Sequence, residues 1–333
     1  MIRCRHRFLI FAMLLSLLIA LAACTKPSSS QPASRVDIRV AALRGPTGIG
    51  LVGLMSDQEA GRTRHNYSFE LADAPNDIVA QLSSNQVDIA ALPTNLAAVL
   101  YQRTQGKVRM LAVNTLGVLY ILEKGNSIQS IADLSGLTIQ ATGQGAIPEY
   151  VLNELLANGG LSKPATVEYR SQHSELASLA AAGKADLVML PEPFVTTVLS
   201  KNSDMRVALD LTEEWSKMMT ATGRAGEMSM GCFVVSEAFA AEHPEALEDF
   251  LSEYQTSVDF VNQKPEEAGE AVARFSVMAD AGLAAKAIPN CYVVLIKGAA
   301  MQEMMEPFFT VLFQANPQSI GGKLPDPTFY WLG

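Results

Sequence analysis

Cysteine is scarce, with 4 in 333 residues and none arranged as Cys-x-x-Cys. This excludes a zinc ribbon and a disulfide-dense scaffold, both of which need closely spaced thiols. Positive charge is also short: 25 Lys and Arg face 34 Asp and Glu, a net charge of −9. A general nucleic-acid binder needs the opposite balance against phosphates. Only His65, His173 and His243 lie beyond residue 23, and none adjoins a Ser or Cys nucleophile in a local motif. No Gly-x-Ser-x-Gly elbow occurs, and no His/Asp/Glu spacing suits zinc or calcium. Gly143-Gln144-Gly145 lacks the third glycine of a dinucleotide fingerprint, so no cofactor is expected. Apolar residues are plentiful. At 49% hydrophobic and 18% charged, the chain has material for sizeable cores, which excludes a wholly disordered protein. At about 150 residues per domain the length suggests two domains.

The N-terminus carries an export signal. Arg3, Arg5 and Arg7 precede an apolar run from Phe8 to Ala23 broken only by Ser16. A bilayer-spanning helix needs about 20 apolar residues, so the run is short for a permanent anchor and suits a cleaved signal at 1–23. It ends in Leu21-Ala22-Ala23-Cys24, which resembles a bacterial lipobox whose cysteine thiol takes a diacylglyceryl group. Residues 24–34, rich in Ser and Pro, bury nothing and are expected to form a lipid-anchored tether. The expected location is outside the cell membrane, facing periplasm or exterior, held by a single lipidated end.

An internal repeat divides the rest. Residues 76–100 and 174–198 align 98 positions apart, matching Ile78 with Leu176, Asp88 with Asp186, Ile89 with Leu187, Leu92 with Leu190 and Pro93 with Pro191. Each copy reads as a helix, a polar turn, an Asp, an apolar strand and a proline loop. The strands show no alternation, as expected for parallel strands covered on both faces. Upstream of each copy a strand runs into a glycine loop and then a helix: Val36–Ala42 into Arg44–Gly48, and Leu137–Ala141 into Thr142–Gly145. Two such halves predict an α/β protein of two lobes, each a mostly parallel sheet flanked by helices, with a hinged cleft between. The expected boundaries are 35–124 for lobe 1, 125–229 for lobe 2 and 230–333 for a return to lobe 1 with C-terminal helices. The hinges are expected near Glu123–Asn126 and Ser229–Cys232. Asp88 and Asp186 precede their strands, at the end away from the cleft, and read as structural.

Ligands of open α/β sheets bind beyond the C-terminal strand ends, where helix N-termini point outward. That rule gathers the candidates Arg44, Gly45, Pro46, Thr47, Thr94, Asn95, Thr142, Gln144, Gly145 and Glu192. Each has a bland alternative. Thr94 and Asn95 can simply cap a helix, the glycines can make tight turns, Arg44 can join a surface ion pair, and Glu192 can be a solvated loop charge. A Cys232–Cys291 bridge would close a loop of about 60 residues and constrain the unfolded chain by ~4 kcal/mol; two buried thiols in apolar strands fit the sequence equally well.

VDIAALPTNLAAVL, LGVLYILEKG, SIADLSGLTIQATGQGAIPEYVLNELL and ADLVMLPEPFVTTVL resemble the sulfonate, taurine and thiamine-pyrimidine-precursor binding lipoproteins of ABC importers, over roughly residues 36–260. The resemblance implies a type II periplasmic-binding fold closing on a small polar organic ligand, no enzymatic activity, and delivery to a permease and its ATPase by a monomer without nucleic-acid partners. It places ligand contacts at Gly45-Pro46-Thr47, Pro93-Thr94-Asn95, Gln144-Gly145 and Glu192. The cysteine-rich motif of eukaryotic pyrimidine-synthase relatives is missing, and Glu192 would repel a nearby anion. The competing readings are a two-lobed enzyme acting on a small organic acid and a metabolite-sensing surface receptor.

Overall fold

The computed structural model describes residues 35–333; the expected signal (1–23) and the tether with Cys24 (24–34) lie outside the described residues. In chain order the strands are β1 (Asp37–Leu43), β2 (Asn66–Ala72), β3 (Ile89–Pro93), β4 (Val108–Leu116), β5 (Leu119–Lys124), β6 (Thr138–Thr142), β7 (Thr166–Arg170), β8 (Leu187–Pro191), β9 (Met205–Asp210), β10 (Ser229–Ser236) and β11 (Val293–Lys297). They form a six-stranded sheet, β11-β4-β10-β3-β1-β2, and a five-stranded sheet, β7-β6-β8-β5-β9. β1 runs parallel to β2 and β3, and β6 runs parallel to β7 and β8. β10 is antiparallel to both its neighbours, and so is β5. The two sheets therefore share one plan, as the repeat predicts, and residues 37–333 form a single compact unit containing both.

Burial explains why the repeated strands were legible. Ile89–Leu92 and Val188–Leu190 are wholly buried, with helices Pro75–Ser83 and His173–Ala181 packing beside them. Asp88 ties β3 to β1 at the end opposite the cleft. Its carboxylate accepts from the Arg39 backbone N–H at 2.9 Å and from the Arg39 guanidinium at 3.0 and 2.6 Å.

Two crossings join the sheets, and each delivers the strand that the receiving sheet inserts antiparallel. The first is shorter and earlier than expected. Asn114 and Thr115, which look like a break between strands, lie inside β4, because β10 on one side and β11 on the other pair with that stretch. The chain changes sheet at Gly117-Val118, and Leu119–Lys124 already belongs to the second sheet, so the crossing does not fall at Glu123–Asn126. The second crossing runs from β9 through helix Leu211–Ala221 to β10. The two touch each other: a Cβ on Gly117 would run into the Thr212 hydroxyl and lie 2.6 Å from the Met228 methyl.

The tail returns to the first sheet through β10 and β11, yet two of its helices also reach the second lobe. Ala281–Ala287 packs on Phe194–Lys201, and Gly298–Ala315 packs on Ile147–Asn158. Trp215 meets Phe308 edge-on at 5.7 Å, so one apolar cluster runs through both lobes.

Cys232 and Cys291 are free, buried thiols, which removes the bridge the sequence left open. Cys232 sits on β10 and Cys291 just ahead of β11, with β4 between them. At about 4.8 Å per strand step they stand roughly 10 Å apart, beyond disulfide reach.

The substitution Gly117→Ala is expected to destabilise the protein by roughly 1–3 kcal/mol in denaturant titration, since the new methyl would overlap the Thr212 side chain at both its hydroxyl and its Cβ. Gly282→Ala is the control. It lies in helix Ala281–Ala287, where a Cβ would meet only Asp280 Oδ1 at 3.4 Å, and stability should rise by up to about 1 kcal/mol. Equal stability of the two variants would contradict a packed crossing.

Candidate functional site

The C-terminal ends of β1, β3 and β4 share one edge with the starts of β10 and β11, and the ends of β6 and β8 share one with the start of β5. The loops at those edges carry most of the predicted site. Gly45 (φ 130°) precedes the short helix Pro46–Ile49, and Thr47 is buried with its hydroxyl donating to Leu43 O at 3.1 Å. Thr94 and Asn95 open helix Thr94–Thr104 but do not cap it by side chain. Thr94 Oγ1 pairs with Ser229 Oγ at 2.9 Å. Asn95 Nδ2 donates to Ser319 O at 3.2 Å and across the cleft to Gly145 O at 3.4 Å. That last bond joins a first-lobe loop directly to a second-lobe loop.

On the second lobe, Thr142 is buried and its hydroxyl pairs with His173 Nδ1 at 2.6 Å. Gln144 and Gly145 are exposed, and Gly145 N–H donates to Glu149 at 2.6 Å. Gly143 must be glycine: its φ is 83°, and a Cβ would stand 2.5 Å from Pro148 Cγ. Arg44 is exposed, and its guanidinium is met on the surface by Asp73 at 2.9 Å and Ser276 O at 3.1 Å.

Glu192 is no solvated loop charge; it is 2% exposed. Its carboxylate accepts from Thr196 N–H at 3.0 Å and Thr196 Oγ1 at 2.9 Å, satisfying the first turn of helix Phe194–Lys201. The side chain of Asn290, on the segment ahead of β11 in the other sheet, approaches closely enough to favour the charged form. Burial pushes the Glu192 pKa up, and these hydrogen bonds oppose the rise. No Lys or Arg forms an ion pair with it among the described residues.

Residues missed by sequence reasoning complete the edge. Asn114 and Thr115 are buried at the end of β4, with Thr115 Oγ1 donating to Asn114 Oδ1 at 3.0 Å. They converge with Thr47 over Gly231, where a Cβ would lie 2.7 Å from Asn114 Oδ1 and 2.9 Å from Thr47 Cγ2. Asn114 Nδ2, Asn95 Oδ1 and Thr212 Oγ1 are buried without a protein partner. An unmet buried polar atom costs about 1–3 kcal/mol, so the edges hold hydrogen-bonding capacity that the fold itself does not use. The only advance signal was polarity inside an otherwise apolar strand. His173, which reads as surface from its polar neighbours, is instead tied to Thr142 and lies 5.4 Å from the Phe194 ring.

A model of the NMT1/THI5-like family matches residues 69–268. Among solved structures, an ABC transporter protein from Parabacteroides distasonis superposes with a TM-score of 0.73 at 22% identity, covering 88% of this chain and 98% of its own. The periplasmic aliphatic sulphonate binding protein SsuA from Escherichia coli gives 0.69 at 15%, covering 90% and 92%. The alkanesulfonate-binding protein SsuA from Xanthomonas axonopodis pv. citri, solved with MOPS bound, gives 0.63 at 16%, covering 88% and 96%. No curated protein matches. The fold is the two-lobed periplasmic-binding type that the resemblance implied.

Burial lowers the His173 pKa to about 4, whereas an unfolded histidine titrates near ~6.5. The folded state therefore resists protonation. His173 contributes its full share of stability above ~6.5 and loses it as pH falls from there toward 4, by at most about 3 kcal/mol. The expected result is an imidazole signal that does not titrate between pH 5 and 8 by NMR, and a flatter acid-stability curve for His173→Gln.

Proposed function

Because the chain belongs to the NMT1/THI5-like family, we propose that it is the exported solute-binding lipoprotein of an ABC importer, capturing a small polar organic ligand between its lobes. Cys24 carries the lipid that holds it at the membrane, and the closed form is presented to a permease and its ATPase. Among the described residues no helix is long and apolar enough to cross a membrane, so in this reading attachment rests on the N-terminus.

The observation that carries the proposal is the set of buried, unpartnered polar atoms on the facing edges: Asn95 Oδ1, Asn114 Nδ2 and Thr212 Oγ1. They belong to different segments, and a ligand between the edges pairs with them where protein does not. The ligand also supplies the contact difference that shifts the lobes toward closure, because it touches both at once. Thr47, Thr94, Thr142, Gly45, Gly145 and Glu192 line the same edges and complete the proposed site. Arg44, committed to Asp73, is left at its margin.

Binding, not turnover, is the chemistry these groups support. The thiols of Cys232 and Cys291 are pushed far toward the neutral form by burial, which removes their nucleophilic state. His173 is held neutral with Nδ1 committed to Thr142.

Native mass spectrometry of residues 25–333, followed by thermal shift against sulfonates, pyrimidine precursors, amino acids, aromatic acids and nucleobases, tests the reading. A ligand at 100 times its Kd should stabilise the protein by about 2.7 kcal/mol. A compound returned chemically altered would make the protein an enzyme instead. Glu192→Gln preserves the side-chain shape and removes the charge. It should weaken the stabilising compound about 10- to 100-fold in calorimetry, the range of one hydrogen bond to a charged group. Cys24→Ser should move the exported protein from the membrane fraction to the soluble one.

A further inference from the structure

The segment from Ile288 to Tyr292, ahead of β11, contributes to the cleft in a way that no strand-end loop predicts. Asn290 reaches Glu192 from the other sheet. Tyr292 O accepts from Leu116 N–H at 3.2 Å, which fixes the segment at the cleft end of β4. The Tyr120 hydroxyl, at the start of β5, lies within electrostatic reach of Tyr292, Glu192, Cys291 and Asp210. Three separate stretches of chain thus meet around one buried carboxylate.

Tyr292 is the anomalous member. Its φ is 41°, in the left-handed region that an aromatic residue rarely occupies. That strain is not repaid by burial: Tyr292 is 43% exposed, whereas Tyr67, Tyr101, Tyr254 and Tyr330 are all buried. Strain of this kind persists where surrounding structure holds a side chain for a task other than packing. The groups nearest Tyr120 and Glu192 are acidic: Glu192 has no cationic partner among the described residues, Asp210 is the next carboxylate, and Arg44 is committed to Asp73. Arg170, two strands from Glu192 at the end of β7 beside Thr142, donates to Gln140 at 3.3 Å and keeps a buried Nε without a partner.

We propose that Tyr292 is a wall of the ligand site, and that the juxtaposition of its exposed ring with Tyr120 and the buried Glu192 selects a flat ligand bearing N–H donors, neutral or cationic, over an organic anion. The inference rests on the cleft being the ligand site. It separates this chain from the sulfonate binders whose fold it shares: a flat N–H-bearing face stacks on the ring and donates to the carboxylate, and a sulfonate does neither.

The test uses three probes on the whole folded chain: benzamidine (flat, cationic, N–H-bearing), cyclohexanecarboxamidine (cationic, not flat) and benzenesulfonate (flat, anionic). Calorimetry or ligand-observed NMR should find benzamidine bound at least ten-fold more tightly than either of the others. Tyr292→Gly removes the ring and relieves the left-handed strain together. It should keep or raise the melting temperature while weakening benzamidine ten-fold or more, and Tyr292→Phe should stay within about two-fold of wild type. Benzenesulfonate binding as tightly as benzamidine, no benzamidine binding at all, or Tyr292→Gly binding benzamidine as tightly as wild type would each overturn the proposal. Failure of this inference alone is recognisable, because a compound from the wider panel would still stabilise wild type and Tyr292→Gly equally.

Discussion

Strand direction is the constraint on which the molecule depends. In each sheet the parallel strands end at one edge, and the strand inserted antiparallel among them begins at that edge. That inserted strand is the one that arrives from the other lobe: β5 enters the second sheet directly from β4, and β10 enters the first after helix Leu211–Ala221. The crossings therefore leave from and arrive at the edges where the loops gather, and the two edges are held near each other by covalent chain. The contact between Gly117 and the Thr212–Met228 stretch follows from this arrangement, as does the bond from Asn95 to Gly145 O. A sheet without the exchange would leave its loops facing solvent.

The same edges hold the groups that stability alone would not choose. Asn114 and Asn95 carry unmet buried atoms, Tyr292 carries backbone strain, and Glu192 is a carboxylate withdrawn from water. The opposite ends of the strands look different: Asp88 is met by Arg39 at three points, and Glu123 accepts from Ser127 and Ile128 and pairs with Arg206. Glu192 has two roles, since it also completes the first turn of helix Phe194–Lys201 through Thr196. A conserved-shape substitution is thus the informative one there, and deletion of the side chain would mix a lost cap with a lost contact.

How far each element was legible depended on how local its cause was. β3 and β8 were plain because both their faces are buried, which leaves an unbroken apolar run. β2 and β7, at sheet edges and half exposed, mix Asn, Ser, Glu and Arg with apolar residues and were not separable from loops. Asn114 looked like a strand break because amide side chains favour turns. Only the pairing of β10 and β11 on either side keeps it extended. His173 looked like surface because its neighbours in sequence are polar, while Thr142 and Phe194 come from elsewhere.

The sequence by itself determined the acidic balance, the two-fold repeat and the position of Glu192 and the glycine loops at strand ends. The charge balance is a count over the chain, and each repeat unit and glycine loop is written in spacing over fewer than about thirty residues, within reach of local patterning. Tertiary structure alone decided where the chain changes sheet, that Cys232 and Cys291 stay apart, that Arg44 is spent on Asp73, and that Asn114, Asn290 and Tyr292 join the cleft. Apart from the Arg44–Asp73 pair, those outcomes depend on contacts between segments distant in the chain, and strand pairing is settled by the burial of whole sheets, which no single segment encodes.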